Sequence, residues 1–318
     1  MKAQILTTAT ILTVLTGALP AADPVLLNLV GPDSKVLAGV NVQQAKGTLF
    51  GQYVLNQIQS SNTDMQQLVA LTGFDPTRDV NEALVATTGA PDTGLALARG
   101  SFDVAKITAA ANVKGAVSEV YNGVTILEDP KQTHGVAFLD STTAVAGDVA
   151  SVKGAIDRQK IAQPLASSAA VQINQLSTTQ DAWVLSTVSP SSLVPPQTGQ
   201  PGAKVPPVFQ TVQSASGGVK FGANVVFTGQ ATTDTAANAS ALGDVVKFLI
   251  SLAQLNASQN PQAAQLAQSV QVSASGNLLT VSLSLPEDQF QQLVNFGQKS
   301  GAAHATPRRA LRDTSPRK

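Results

Sequence analysis

The sequence has no cysteine and very few of the residues that most often carry chemistry. Its 318 residues include one tryptophan, two tyrosines and two histidines. The lack of cysteine excludes disulfides, thiol catalysis, iron–sulfur clusters and thiolate zinc sites. Charged residues make up 13% of the chain, about half the usual share of ~25%. The hydrophobic share of 43% is enough to bury a core, so we expect a folded protein whose core is mainly aliphatic.

The N-terminal residues have the composition of a secretory signal peptide. Lys2 is followed by an apolar stretch from Ile5 to Leu19 that contains five threonines, and then by Pro20-Ala21-Ala22-Asp23. The stretch is shorter than the ~20 residues that span a bilayer, which argues against the alternative of an uncleaved anchor. We predict a signal peptide over residues 1–22, cleaved after Ala21 or Ala22. We expect no later apolar run of membrane length, so the prediction is an exported protein, periplasmic or secreted, without a transmembrane segment in the mature chain.

The C-terminal residues 298–318 are predicted to be a disordered basic tail. They contain six basic residues against a single acidic one, with few large apolar residues. Such a tail is either a solvated terminus or a patch for an acidic surface. The rest of the chain is acidic overall and has no basic face, so we expect no nucleic-acid partner.

Between the two ends, hairpins alternate with capped helices. Asn122-Gly123 and Gly276-Asn277 predict tight turns between strands, and Asp103 and Asp148 predict helix starts. A proline-rich loop is predicted over residues 189–207, and a last helix from Pro286 to Phe296 with Phe290, Leu293 and Val294 turned inward. The predicted fold class is α+β, with antiparallel hairpin-rich sheets and helices packed on one face. The chain divides into an N-terminal half, 23–160, and a C-terminal half, 161–297, which are possibly two related halves produced by duplication.

Candidate catalytic and metal-binding residues are few. His134 is the one histidine within the predicted folded part, so it is the one candidate base for a hydrolase, although no G-x-S-x-G motif accompanies it. Asp75, Asp79 and Glu82 could offer oxygen ligands to calcium, but their positions also suit turn and strand-start chemistry. We therefore predict no catalytic residue, no cofactor and no metal site.

Two glutamates could in principle form a carboxylate pair. Glu119 and Glu128 lie on the two arms of the Asn122-Gly123 hairpin, but the scarcity of aromatic residues argues against a sugar-binding cleft around them. We interpret both as edge charges that discourage strand aggregation.

Four segments carry a resemblance to known proteins. They are Thr72–Val80, Ala146–Arg158, Gln213–Val219 and Gly276–Glu287. These segments resemble stretches of a group of uncharacterised exported bacterial proteins associated with acidobacteria-like genomes. The resemblance implies export and a two-part α/β body, and it implies no activity.

The sequence therefore predicts an exported protein that is not an enzyme and that has a binding or structural role in the periplasm or envelope. Its partner is unknown and could be an apolar ligand or an envelope component. One alternative is a carrier of a lipid or another apolar ligand, which would need an unfilled aliphatic cavity of roughly 300–1,000 Å³. The other alternative is a hydrolase that uses His134.

Overall fold

The structure is a computed structural model, and it describes residues 22–61, 63–189, 207–255 and 261–289. Residues 1–21 of the predicted signal peptide, most of the proline-rich loop, most of the predicted last helix and the whole basic tail lie outside the described residues.

The described chain alternates helices with antiparallel strands. The strands are β1 Val36–Asn41, β2 Val80–Thr87, β3 Leu95–Gly100, β4 Val117–Tyr121, β5 Val124–Glu128, β6 His134–Asp140, β7 Thr143–Asp148, β8 Ala182–Ser186, β9 Val212–Lys220, β10 Asn224–Thr233, β11 Val270–Ser275 and β12 Leu278–Pro286. The helices are α1 Pro24–Leu29, α2 Val42–Lys46, α3 Leu49–Ser61, α4 Thr63–Thr72, α5 Pro76–Asp79, α6 Val104–Val113, α7 Val149–Lys160, α8 Ser167–Thr179, α9 Ala236–Leu255 and α10 Pro261–Gln268. A short 3₁₀ helix, Pro207–Thr211, precedes β9.

All twelve strands belong to a single antiparallel sheet, with the order β11-β12-β10-β9-β8-β1-β2-β3-β7-β6-β5-β4. The predicted α+β class is confirmed. β1 pairs with β2 on one side and with β8 on the other, so strands from the two predicted halves meet at β1. The predicted boundary between the halves falls in the loop that joins α7 to α8.

Helices cover both faces of this sheet, which corrects the expectation that they would pack on one face. Leu84 and Leu97 belong to a large core cluster with α1, α7 and α8, on what we call the α7 face. Their neighbours Ala83 and Ala98 point the other way, toward α6, on what we call the α6 face. Successive side chains of a strand point to opposite faces of the sheet. A strand whose odd and even positions are both apolar is therefore buried on both faces.

The predicted caps and turns are formed as expected from their residue types. The Asp103 carboxylate accepts the Lys106 amide at 3.1 Å at the start of α6, and Asp148 accepts the Ser151 amide at 2.9 Å at the start of α7. Asn122 and Gly123 have φ values of 52° and 88°, as the tight turn between β4 and β5 requires.

Two helices differ from the sequence-based expectation. α8 was missed because no side chain caps its start and only Ala169 and Ile173 are buried. α9 has 20 residues, and an 18-residue window of it has a mean hydropathy of 1.3, so it is apolar enough to cross a membrane by length and composition, whereas the sequence analysis expected no later apolar run of that length. Asp244 and Lys247 interrupt its apolar run, so the sequence shows no uninterrupted apolar stretch of this length. Its first half packs on the sheet through Ala239, Leu242 and Gly243.

Candidate ligand-binding cavity

A cavity of about 640 Å³ lies on the α6 face, between the sheet and helices α4 and α6. Its floor consists of strands β3, β7, β6 and β5, and its lining is almost wholly apolar. Leu71 of α4 and Ile107, Ala110 and Ala111 of α6 form the opposite wall.

Small side chains on the central strands create this space. Ala98, Ala144, Ala146 and Gly147 present little more than backbone to the cavity. Gly147 cannot carry a side chain, because a Cβ atom there would lie 2.1 Å from the carbonyl oxygen of Gly94. α6 has no buried residue although most of its residues are apolar. The helix therefore rests over unfilled space instead of closing a packed core.

Aromatic rings close one end of the cavity. The ring centroid of Phe102 lies 5.5 Å from that of Phe74 and 5.4 Å from that of Phe138. Val80 and Phe102 are buried in the same cluster. Rings at these separations make favourable tilted contacts, so this end is an apolar wall of packed rings.

The opposite end of the cavity is polar and carries His134. Lys114, Asp129 and His134 line this end. In the sheet, Gly135 of β6 pairs with Glu128 of β5 on one side and with Gly147 of β7 on the other. His134 is exposed and begins β6. The cavity thus has an apolar body and a polar mouth.

His134 does not sit in the arrangement that a hydrolase needs. Its Nδ1 lies 3.1 Å from Thr133 Oγ1, but the Asp129 carboxylate accepts the backbone amide of His134, at 3.0 Å. That amide holds the pKa of the Asp129 carboxyl below its usual value. A catalytic carboxylate would instead accept a hydrogen from the imidazole ring and orient it. The contacts of Asp129 shape the β5–β6 turn.

The three acidic residues considered for calcium do not converge. Asp75 caps α5 by accepting the Thr77 amide at 2.9 Å, and Asp79 pairs with Arg78 at 2.6 Å, which lowers the pKa of Asp79. Glu82 accepts the Asp23 amide at 3.0 Å, and burial raises the pKa of its carboxyl. Within the described ranges, no group of three or more histidine, aspartate or glutamate side chains is placed to hold a metal ion.

The interpretation of Glu119 and Glu128 as edge charges is wrong for Glu128, which is buried. Glu119 lies on the edge strand β4 and forms an ion pair with Lys153 at 2.8 Å, which lowers the pKa of Glu119. Glu128 is 2% exposed, and burial raises the pKa of its carboxyl. Its Oε1 atom is buried without a hydrogen-bond partner in the described part of the chain. Glu128 is therefore not an edge charge, because β5 lies between β4 and β6 and the Glu128 side chain is close to Lys153 of α7.

Sequence reasoning missed the cavity because its lining residues are ordinary alanine, glycine and phenylalanine at unrelated positions. No single motif contains them. The one available signal was the frequency of small residues at alternate positions of β3 and β7, which a packed sheet and an open cavity share.

No protein-family model and no curated protein matches this chain. Solved structures do resemble it. Crystal form III of TP0453 has a TM-score of 0.53 at 9% sequence identity, with 85% of this chain and 97% of that chain covered. Crystal form IV of TP0453 has a TM-score of 0.51 at 10% identity, with 84% and 95% covered. At such low identity the likeness shows the fold alone, and the chain is therefore similar to TP0453 in its α+β architecture.

Proposed function

We propose that this protein is an exported, non-enzymatic binding protein whose cavity under α6 takes a lipid chain or another apolar ligand. The observation that carries the proposal is the cavity itself, about 640 Å³ of almost wholly apolar space between α6 and the sheet. This volume lies within the range of ~300–1,000 Å³ that is typical of small-molecule sites.

The energetic reason for binding is the apolar surface left without packing partners. Ile107, Ala110 and Ala111 of α6 face Phe138, Ala144 and other residues of the sheet across the cavity. A ligand that fills this gap removes apolar area from water, which is worth roughly 25 cal/mol per Å². The polar mouth at Lys114, Asp129 and His134 leaves room for a polar ligand group near solvent.

Export is supported by the signal-like N-terminal segment of the sequence. An exported protein meets envelope lipids and their breakdown products, so an apolar cavity is consistent with a carrier role. The second candidate, a hydrolase, has no specific observation in its favour, because Asp129 contacts the backbone of His134 instead of its ring.

The test uses protein that has been extracted with organic solvent and refolded, titrated with the neutral fluorescent dye phenylnaphthylamine. Mass spectrometry of the extract identifies any lipid that co-purifies. We expect saturable binding of the dye and its displacement by the extracted lipid. In the Ala144→Leu variant, the larger side chain fills part of the cavity, and we expect at least about a tenfold loss of affinity, or about 1.4 kcal/mol.

The matched control is Ala274→Leu, the same change on the exposed residue Ala274 of β11, far from the cavity. It should leave dye binding unchanged. Equal dye affinity in the wild type and in Ala144→Leu, with both proteins folded by circular dichroism, would contradict the proposal.

A further inference from the structure

The helix that covers the cavity, α6, presents one apolar row to it, and this row ends in a cation. Ile107, Ala110, Ala111 and Lys114 all line the cavity. They occupy positions i, i+3, i+4 and i+7, which lie on one side of a helix. Gly115, with a φ of 86°, follows Lys114 where the helix ends. The row therefore leads from the apolar body of the cavity to its polar mouth.

Lys114 is the one lysine or arginine among the described residues that line the cavity. Its side chain is exposed, and in the described part of the chain its ammonium group has no ion-pair or hydrogen-bond partner. A lysine at the rim of an apolar wall keeps its methylene stem against that wall and its ammonium group in water. Lys106 of the same helix differs, because it pairs with Asp103 at 3.0 Å and does not line the cavity.

The acidic groups near the mouth are engaged elsewhere. One oxygen of the Asp129 carboxylate accepts the amides of Thr133 and His134 at 2.7 and 3.0 Å, and the other accepts the Thr133 hydroxyl at 3.1 Å. The Glu128 carboxyl is buried, and burial raises its pKa, which favours its neutral form. Lys114 is thus the charged group that the described protein leaves available to a ligand.

The two ends of the cavity are separated by the length of α6. Phe102 of the aromatic end precedes this 10-residue helix, and Lys114 follows it. Ten helical residues span about 15 Å. A fully extended chain advances about 1.2 Å per bond, so about twelve bonds cover this distance. The cavity therefore suits one alkyl chain of about a dozen carbons.

We propose that the ligand of this cavity is a single-chain fatty acid, with its alkyl chain under α6 and its carboxylate paired with Lys114. This inference rests on the proposed apolar ligand site and adds the class of ligand. A single lysine matches the single charge of a carboxylate. A phosphate group has three acceptor oxygens and up to about two charges, most of which one lysine would leave unpaired.

The test compares ligands that share one chain and differ in their polar group. Dodecanoate and 1-dodecanol displace phenylnaphthylamine from the delipidated protein at about pH 8, where carboxylates and lysines are charged, and at low ionic strength. We expect dodecanoate to act at an at least about threefold lower concentration than dodecanol, as for a partly exposed ion pair. Lys114→Gln should abolish this preference without changing the affinity for dodecanol, and Lys114→Glu should favour dodecylamine instead.

The matched control is Lys106→Gln, which removes a cation from the same helix outside the cavity and should keep the preference for dodecanoate. Equal displacement by dodecanoate and dodecanol in the wild type would overturn the inference. A preference that persisted in folded Lys114→Gln would also overturn it, because the carboxylate would then lie elsewhere. Tighter binding of dodecylamine would assign the mouth to Asp129, and tighter binding of dodecyl phosphate would make the ligand a phosphate.

A failure of the proposed function gives a different result from a failure of this inference. If the dye binds nowhere, or if none of these compounds displaces it, the cavity is not a site for apolar chains. If dodecanol and dodecanoate displace the dye equally well, the cavity still binds such chains, and only the pairing with Lys114 is refuted.

A second measurement locates the carboxylate directly. A carbodiimide activates the carboxylate of bound dodecanoate, and attack by an adjacent lysine amine forms an amide and releases a urea. Peptide mass spectrometry then identifies the modified lysine. We expect the dodecanoyl group on Lys114, and we expect excess dodecanol to suppress the coupling. Equal modification of Lys106 and Lys114, insensitive to dodecanol, would contradict the proposed pairing.

Discussion

At the residue scale, the carboxylate of Asp148 joins two elements. It accepts the Ser151 amide at the start of α7 and also the amide of Gly94, at 3.0 Å, which precedes β3. Burial raises the pKa of this carboxyl, but the hydrogen bonds from Ser151 and Gly94 together outweigh burial, so the pKa lies below its ordinary value. A single side chain thus caps a helix and fixes that helix to the sheet.

We expect Asp148→Ala to lower the free energy of unfolding by about 1–2 kcal/mol near neutral pH, the usual cost of losing an N-cap. Because the folded-state pKa is depressed, this contribution is present above the unfolded pKa of about 3.9 and is lost as the pH falls through the folded value. Urea unfolding of both proteins at about pH 7 and about pH 3 measures the difference.

The control for this prediction is Asp244→Ala, since Asp244 is exposed and forms only a 3.7 Å pair with Lys247. It should change stability little at either pH. A gap between wild type and Asp148→Ala that stayed constant from neutral to acidic pH would show that the carboxylate charge contributes nothing.

At the element scale, the joint between β1 and β8 depends on one glycine. Gly39 lies opposite Trp183 in the β1–β8 register, and the indole ring covers it. A Cβ atom on Gly39 would lie 2.6 Å from Trp183 Cε2 and Cζ2, well inside contact distance. Trp183 is 6% exposed, so its ring has little freedom to move away.

Gly39→Ala should therefore destabilise the protein by about 1–3 kcal/mol, the usual cost of overpacking. Trp183 is the one tryptophan in the chain, so its fluorescence emission reports this joint directly, and we expect it to shift in the variant. Gly222→Ala is the matched control, since the nearest atom to a Cβ there is 3.7 Å away. Wild-type stability and emission in Gly39→Ala would mean that β1 and β8 pack differently.

At the scale of the whole molecule, the hydrophobic core extends across the boundary between the predicted halves. The cluster on the α7 face includes Ala169 and Ile173 of α8 and Trp183 and Leu185 of β8, together with residues from Ala22 to Ile156. Removing α8 and β8 would expose that part of the core and leave β1 as an edge strand, paired with β2 alone.

We expect a fragment of residues 22–160 to lack a cooperative thermal transition, and a fragment of residues 22–188 to regain one, because only the longer fragment keeps both partners of β1. Calorimetry of the two fragments measures this. Cooperative unfolding of the shorter fragment, at the midpoint of the longer one, would show that the N-terminal half is an independent unit.

A second truncation concerns the predicted basic tail at the C-terminal end of the chain. Deletion of residues 298–318 should leave the thermal midpoint within about a few degrees, since the segment has little apolar surface to bury.

The sequence by itself determined the local elements of this protein. Asn122-Gly123 dictated a tight turn because both residues tolerate positive φ, and Asp103 and Asp148 dictated helix starts because a short carboxylate satisfies free amides. These effects act within about four residues, so they can be read directly from neighbours in the chain. The α+β class followed from the same signals, through the dominance of hairpins.

Only the tertiary structure decided the single sheet, the two covered faces and the cavity. β1 and β8 are separated by some 140 residues in sequence, and no local pattern specifies that Gly39 meets Trp183. The cavity depends on Ala98 and Ala144, which pair across β3 and β7 beneath α6, and on Gly147 at the end of β7, because the small size of these residues leaves a shared space. Small residues are equally compatible with tight packing, so whether they close a core or leave room for a ligand depends on which strands and helices meet.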